Sequence, residues 1–517
     1  MNLLKTLAAI SSMTMLSRVT GLLRESLFAR AFGASEYTDA FNVAFRIPNL
    51  LRRMFAEGAF AQAFVPILAD VKTQRGDEGT RPLIDSVATV LIWSTLLITI
   101  AGIIATPLLI MWVMDTSKQT PQASQAAIFM TRMMFPYIIC MAFVSLASGI
   151  LNTWRQFKIP AFTPVLLNIS FILASLFLAQ RLAQPIYAMA FAVVVGGLLQ
   201  VGIQIPSLMK IGMLPRISLN PMAALRDPGV HRMLRKMGPA VFAVSAAQIS
   251  LLVNTGIASR LGAGSVSALT YADRLMEFPT AMLGVALGTI LLPSLAKANT
   301  EGDATEYSAL LNWGLRLTFL LALPASVGLA ALAEPMIATL FHYGAFNVKA
   351  IHAAAMPLMA YSAGLVGIIL VKTLTPAFYA RQDVRTPVRI AVGVLVAVQL
   401  MNLVFVPLLQ GVAGLALSIG MGACLNAAVL YTVLRKRGIY VPQPGWLMFF
   451  ARLLIAVAVM GLIAWYGKNQ FDWAALQARP WLRAGALFAI VAGSATAYFV
   501  VLFGLGFRFK DFKRSGR

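Results

Sequence analysis

Apolar runs of 20 or more residues recur from one end of the chain to the other, separated by short connections rich in Lys and Arg. Each run is long enough to cross about 30 Å of hydrocarbon as a helix. Lipid offers backbone groups no partners, so runs of this length predict a bundle of helices that satisfy their own hydrogen bonds. Fourteen spans are expected, at roughly 2–32, 37–69, 83–114, 124–153, 160–180, 185–209, 233–261, 267–297, 307–332, 349–380, 386–407, 411–434, 445–467 and 481–506. The stretch 333–348 (AEPMIATLFHYGAFNV) is read as a candidate short helix ahead of the tenth span. The N-terminal MNLLKTLAAISSM carries one lysine and no small-residue cleavage site, so it reads as a retained first span and not a signal peptide.

Composition agrees with the pattern. The 517 residues are 59% hydrophobic and 12% charged, with a mean hydropathy of +0.78, which is far from a soluble multidomain chain. The net charge of +23 would suggest nucleic acid in a soluble protein. Here the charge lies mostly between spans, so topology explains it and no nucleic-acid partner is expected. Connections on one side (72–81, 155–158, 210–236, 297, 381–389, 435–437 and the tail 508–517) hold 23 Lys and Arg. The other side holds seven: Lys118, Arg181, Arg260, Lys349, Lys468, Arg479 and Arg483. The bias places both termini in the cytoplasm, consistent with an even number of spans. Cys140 and Cys424 sit in apolar runs and read as small core residues. The three histidines lack metal-ligand spacing, so no metal site and no catalytic residue are assigned.

The chain also repeats itself weakly. FAEGAFAQAFVPILA (55–69) aligns with MLGVALGTILLPSLA (282–296), and Lys158-Ile159-Pro160 with Arg385-Thr386-Pro387, both at an offset of 227. GGLLQ…LMKIG (196–212) aligns with GACLN…LRKRG (422–438) at 226. A six-span unit repeats in the same direction across the membrane, a transporter architecture with substrate bound between the halves. The fold expected is therefore an all-α polytopic membrane protein with two pseudo-symmetric six-helix lobes plus two extra C-terminal helices. The domains fall at 1–218, 219–440 and 441–517.

Thirty of the 42 basic residues are placed in connections. Twelve remain in or near spans: Lys5, Arg18, Arg24, Arg30, Arg46, Arg52, Arg53, Arg132, Arg274, Arg316, Lys372 and Arg452. Arg30, Arg132, Arg316 and Arg452 lie near span ends and can snorkel. The second span is different. Asp39, Asn42, Arg46, Asn49, Arg53 and Glu57 follow at spacings of three and four, a polar stripe over four turns with Arg52 beside it. Facing lipid it would cost several kcal/mol per charge, so it must face protein or a water-filled cavity. Ser17, Gly21 and Arg24 share a face of the first span, with Arg18 adjacent. Ser267, Tyr271 and Arg274 share one on the eighth, near Asp273 and Glu277. Both halves are thus expected to aim charge at one central cavity. Guanidinium stays charged in a low dielectric and offers a planar fork that suits phosphate oxygens. Six arginines (Arg18, Arg24, Arg46, Arg52, Arg53, Arg274) against four acids (Asp39, Glu57, Asp273, Glu277) leave a surplus of two positive charges, comparable to a diphosphate. The competing reading is Arg–carboxylate pairing that holds helices together. A cation-coupled drug exporter would show the reverse balance, rich in acids. An integral membrane enzyme on lipid-linked sugars would need paired carboxylates or a metal motif beside a soluble loop, and no such constellation is seen.

At these residues the sequence resembles the MurJ (MviN) family of lipid II flippases, within the multidrug/oligosaccharidyl-lipid/polysaccharide exporter superfamily. The stretches that carry the resemblance are SRVTGLLRESLFARAFGAS (17–35), TDAFNVAFRIPNLLRRMFAEGAFAQAFVPILA (38–69) and YADRLMEFPTAMLGVALGTILLPSLAKA (271–298), with ILNTWRQFKIPAFTPVLLNIS (150–170) and FYARQDVRTPVRIA (378–391). The likeness extends over essentially the whole chain. It implies a multi-pass protein of the bacterial inner membrane that moves an undecaprenyl-diphosphate-linked disaccharide-pentapeptide to the periplasmic leaflet for peptidoglycan synthesis; the sequence leaves the oligomeric state open, with a monomer as the default expectation. Membrane lipids and cell-wall synthesis proteins are the partners it implies. It implies that Arg18, Arg24, Asp39, Arg52 and Arg274 are critical cavity charges, and that the last two spans form a groove for the lipid tail. Added to the reading of the stripe, the substrate-binding set is Arg18, Arg24, Asp39, Asn49, Arg52, Arg53, Glu57, Asp273, Arg274 and Glu277. No cofactor is expected beyond a coupling cation. Transport by alternating access is expected to draw on the membrane potential or an ion gradient. Asp39 and Glu57 are expected to compete with the cargo for the arginines.

Overall fold

A computed structural model describes residues 3–51, 53, 59–114 and 120–508; several side chains within this range, among them 3–11 and 284–290, are outside the description. The described residues form helices, turns and short connections, with no strand among them. Packing divides the chain at Gly264/Ser265 into two compact units.

The first unit contains α1 (Leu3–Phe32), α2 (Glu36–Leu51), α3 (Ala59–Val113), α4 (Pro121–Met134), α5 (Tyr137–Thr153), α6 (Lys158–Leu173), α7 (Tyr187–Lys210), the short α8 (Pro221–Leu225) and α9 (Pro228–Arg260). Gly76, at φ 68, breaks α3 into two helices, a conformation that favours glycine. Helix starts are set by side chains that satisfy free amides. Thr120 accepts from the Ala123 amide ahead of α4, with Pro121 at the first position. Asp227 accepts from Gly229 (2.7 Å) ahead of α9, again followed by a proline. A core of Phe60, Phe64, Leu83, Leu146, Leu208 and their neighbours joins α3, α5 and α7. The sequence repeat places a boundary at 218/219, whereas by its contacts α9 packs on α3 and groups with the first unit.

The second unit contains α10 (Ser265–Pro279), a π-helical segment (Thr280–Val285), α11 (Ala286–Thr300), α12 (Ala304–Ala331), α13 (Ala333–Phe341), α14 (Val348–Tyr379), α15 (Arg385–Leu408), α16 (Val412–Lys436), α17 (Trp446–Lys468) and α18 (Pro480–Gly504). The short helix read at 333–348 is α13. Helices α14 and α16 cross in close contact at Gly364 and Gly420, where a Cβ on Gly364 would lie 2.1 Å from the Gly420 Cα. Small residues permit this approach in membrane helices. The last two helices pack on each other, α17 against α12 and α18 against α13. The Tyr498 hydroxyl of α18 donates to the Leu320 carbonyl of α12 (2.6 Å).

Ten helical stretches among the described residues are long and apolar enough to cross a membrane. The four expected spans not among them, at 2–32, 37–69, 233–261 and 267–297, correspond to α1, α2 with the start of α3, α9, and α10–α11. These elements include the ones with the polar stripes, and α2, α10 and α11 are each only 15 or 16 residues long. Large apolar side chains such as Leu403, Leu447 and Phe488 are more than 70% exposed on their outer faces, as lipid-facing positions should be.

Candidate functional site

The stripe on α2 is graded in burial. Asp39 is fully buried, Asn42, Arg46 and Asn49 are half-buried, and Arg53 is exposed. Its upper part faces protein. The Asp39 Oδ2 accepts from the Gly264 amide at 2.8 Å, tying the start of α2 to the turn after α9. That turn needs glycine: Gly264 has φ +83, and an added Cβ would meet the Ala34 carbonyl oxygen at 3.0 Å. One step along the stripe, the Arg46 guanidinium donates to the Thr255 hydroxyl of α9. Thr255 is fully buried and itself donates to the Leu251 carbonyl (2.7 Å). Asp39 and Arg46 therefore make contacts that hold α2 and α9 together. Arg52 and Glu57 lie outside the described residues.

Arg24 is set differently. Its Nη1 donates to the Asn168 Oδ1 on α6 at 3.1 Å, its Nη2 is ion-paired with Glu25, and its guanidinium lies 5.2 Å from the centre of the Phe171 ring. Asn168 fixes the same turn of α1 by donating to the Ser17 carbonyl and the Thr20 hydroxyl, each at 3.1 Å. Ser17 and Gly21 thus meet Asn168, on the face expected from their spacing. Arg18 is exposed and has no hydrogen-bond or ion-pair partner among the described residues. Glu25, Asn168, Phe171 and Thr255 were not among the expected site residues.

In the second unit the shared face of α10 divides. Ser267 and Tyr271 are buried, with the Tyr271 ring 5.0 Å from Phe341 and 5.2 Å from Phe346, so this part of the face is packed core. Arg274 is half-buried and pairs with Glu277 at 3.3 Å, one helical turn on, with side chains 37% and 51% exposed. An ion pair this wet contributes only a few tenths of a kcal/mol, roughly 0.2–1, so Arg274 can change partner at little cost. Asp273 is half-buried beside it. Directly after α10 the chain adopts π-helical geometry from Thr280, and Lys372 Nζ donates to the Thr280 carbonyl at 3.4 Å. Arg53, 227 residues earlier, is also in π geometry. The repeat offset thus pairs Arg53 with Thr280, both in π geometry beside a charged stripe, and such bulges accompany functional sites in helices.

Two basic residues differ from the sequence reading. Arg483, assigned to a connection, is fully buried in the first turn of α18. Its Nη1 lies 3.4 Å from His342 Nδ1, its Nη2 donates to the His342 carbonyl (3.3 Å), and its guanidinium covers the Tyr343 ring at 4.7 Å. Packing of α18 on α13 encloses it, which no local sequence feature announces. Arg316 stacks over Trp446 (5.3 Å) and donates to the Pro444 carbonyl (2.8 Å), anchoring the start of α17 and not only snorkelling. No cluster of three metal-ligating side chains occurs among the described residues.

Comparison with known proteins gives the same picture over the whole chain. The family model described as "Lipid II flippase MurJ" matches residues 28–480. A protein of Burkholderia cenocepacia named "Lipid II flippase MurJ" is 55% identical over 518 residues, covering 100% of both chains. One of Haemophilus influenzae named "Probable lipid II flippase MurJ" is 39% identical, over 96% of this chain and 98% of its own. Among solved structures, one described as "Lipid II flippase MurJ, inward closed conformation" superposes with a TM-score of 0.78 at 23% identity, covering 96% of this chain and 99% of that one. An inward-facing multidrug transporter of the MATE family follows the same fold at a TM-score of 0.66 and 16% identity, covering 83% and 97%. This chain, an all-helical multi-pass membrane protein, belongs to the lipid II flippase MurJ family.

Proposed function

We propose that the protein is a transporter and not an enzyme, a lipid II flippase that carries the diphosphate-linked peptidoglycan precursor to the periplasmic leaflet of the bacterial inner membrane by alternating access. The observation that carries this reading is the placement of arginines on otherwise apolar helices, in a chain alike over its full length to lipid II flippases. Arg18 and Arg24 of the first unit and Arg274 of the second are the phosphate ligands, with Arg52 and Arg53 as further candidates. Asn49 and Asp273 are candidate polar contacts to the headgroup. The carboxylates that exchange with phosphate are Glu25 at Arg24 and Glu277 at Arg274, the partners they hold at rest. Asp39 serves instead to pin α2 through the Gly264 amide.

Both termini are cytoplasmic, on the strength of the basic-residue bias. The repeat relates two six-helix lobes, with α17 and α18 as a groove for the polyprenyl tail. Outward movement of net negative charge gains about 2.3 kcal/mol per charge per 100 mV of inside-negative potential, and a coupling cation supplies any remainder. The protein works as a monomer beside cell-wall synthesis enzymes. Depletion should cause lipid-linked precursor to accumulate on the cytoplasmic side. Arg24→Ala and Arg274→Ala should each abolish flipping in spheroplasts. Full transport and viability in both variants would refute phosphate capture by these arginines.

A further inference from the structure

The second unit encloses an apolar cavity of about 590 Å³, within the size range of sites for small organic ligands. Phe319 of α12, Leu370 of α14 and Ala428 of α16 form its walls, Trp446 and Phe450 of α17 close one side, and Arg435 is its one charged lining residue. Ala428 is exposed, so the cavity is not sealed. Polarity is confined to one end. There α16 finishes in Arg435, Lys436 and Arg437, and of these only Arg437 has an ion-pair partner among the described residues, Asp383 at 2.8 Å. Arg435 and Lys436 are exposed and have no ion-pair partner among the described residues, and the Arg435 guanidinium lies 6.0 Å from the centre of the Tyr431 ring. The same end carries Trp446, whose indole donates to the Asn312 Oδ1 at 3.0 Å. Tryptophan with one polar contact and an apolar body marks the depth of the membrane interface. Beneath it, Arg316 has a buried Nε–H with no hydrogen-bond partner among the described residues.

We infer that this cavity is a resident-lipid site that holds one acyl chain of an anionic glycerophospholipid, its phosphate at Arg435 and Lys436. Two observations select that occupant. The apolar body runs inward from interfacial depth, which suits an acyl chain, and the unpaired cations stand only at its mouth, which suits a negative headgroup. Basic pockets between membrane helices on the cytoplasmic side bind anionic lipids in this way. In the orientation proposed above the basic end is cytoplasmic, where such lipids are drawn from the inner leaflet. The site lies within one unit and requires no movement of cargo, so its test is separate from that of transport.

The test is native mass spectrometry of the full-length protein, with phosphatidylglycerol or phosphatidylcholine added at equal concentration. Wild type should retain phosphatidylglycerol in preference, by about fivefold per cation, the equivalent of the roughly 1 kcal/mol that one Lys or Arg contributes near an anionic lipid surface. Arg435→Gln should reduce the preference by that factor, and Arg435→Lys should keep it. Ala428→Trp, which fills the cavity, should remove retention of both lipids. Its fold is checked by thermal unfolding, and if that variant is unstable the Arg435 pair decides alone. Equal retention of the two lipids by wild type, or an unchanged preference in Arg435→Gln, overturns the inference. So does displacement of phosphatidylglycerol by equimolar undecaprenyl diphosphate, which would make the cavity part of the cargo path.

Discussion

Asn168→Ala should disable Arg24 without altering any charge. The Asn168 side chain is 6% exposed and makes three hydrogen bonds at 3.1 Å, accepting from Arg24 and donating to the Ser17 carbonyl and Thr20 hydroxyl of α1. A neutral hydrogen bond contributes about 1 kcal/mol net and one to a charged group about 1.5–3. The gross loss is then roughly 3–5 kcal/mol. The α1 groups are half-buried and recover water, so about 2–3 kcal/mol should appear as lost stability. The charged bond alone, lost from the orientation of Arg24, corresponds to a decrease in flipping of about tenfold to a hundredfold at 1.4 kcal/mol per tenfold. The measurements are thermal unfolding in detergent and exposure of lipid II in spheroplasts, with the variant as the sole copy. Asn168→Asp is the companion. It keeps an acceptor for Arg24 but cannot donate to the Ser17 carbonyl, and it adds an anion that competes with phosphate, so it should lose both stability and transport. Wild-type transport in Asn168→Ala alongside the expected loss of stability would show that the orientation of Arg24 is irrelevant to flipping.

Three further outcomes follow from other contacts. Gly364→Leu should destabilise by at least about 3 kcal/mol, the upper end for overpacking, because the added carbon meets the Gly420 backbone and not a movable side chain. Gly393→Ala, open to space within 4 Å on α15, should cost nothing, and equal losses in the two would refute the close crossing. Burial first, and the Arg483 charge second, push the His342 imidazole below its usual pKa. The unfolded chain therefore takes up the proton first, so stability is full above about pH 6.5 and falls as the pH drops below it. His342→Gln should flatten the unfolding temperature between pH 7.5 and 5.5, and an unchanged slope would assign the effect elsewhere. Hydrogen bonds from Thr386 and then Arg437 hold Asp383 down to about 2. Its contribution is present above the unfolded carboxylate value near 4 and is lost as pH falls through about 2. Asp383→Asn should lower stability by less than about 1 kcal/mol at pH 7, and a larger loss would mean that the pair does more than tie the α14–α15 turn to the end of α16.

Much of the fold is legible because lipid imposes a length and a polarity on each helix, and the stripe on α2 is legible because its spacing matches the helical period. The partners of the charges are not. Arg24 pairs with Glu25, its neighbour in sequence, although adjacent helical residues do not ordinarily face each other, so no spacing rule selects the pair. Asn168 is 144 residues from Arg24 and lies in a stretch of α6 that reads as a uniform apolar span. Asp39 looks identical in sequence whether it faces a cavity or a backbone amide. Only the fold brings Gly264 to it. Arg483 shows the same limit in reverse. Three residues after Pro480 it resembles a connection charge, and its burial depends on α13 packing against α18.

The resting partners also bear on how a carrier can bind tightly enough to select its cargo and still release it. A half-buried arginine with no partner would gain the full charge-assisted interaction from a phosphate and hold it for long. Arg24 and Arg274 are each already matched by a carboxylate, so cargo binding there is an exchange of one anion for another, with most of the desolvation already met at Arg24 but not at the wetter Arg274. The net gain is a difference between two similar interactions, and small movements of Glu25 or Glu277 can change its sign. Arg18 has no such competitor among the described residues and is exposed, which suits first contact with a diphosphate more than its retention. On that logic Glu25→Gln should bind substrate more tightly and flip it more slowly. A variant with unchanged affinity and unchanged rate would show that the carboxylate takes no part in release.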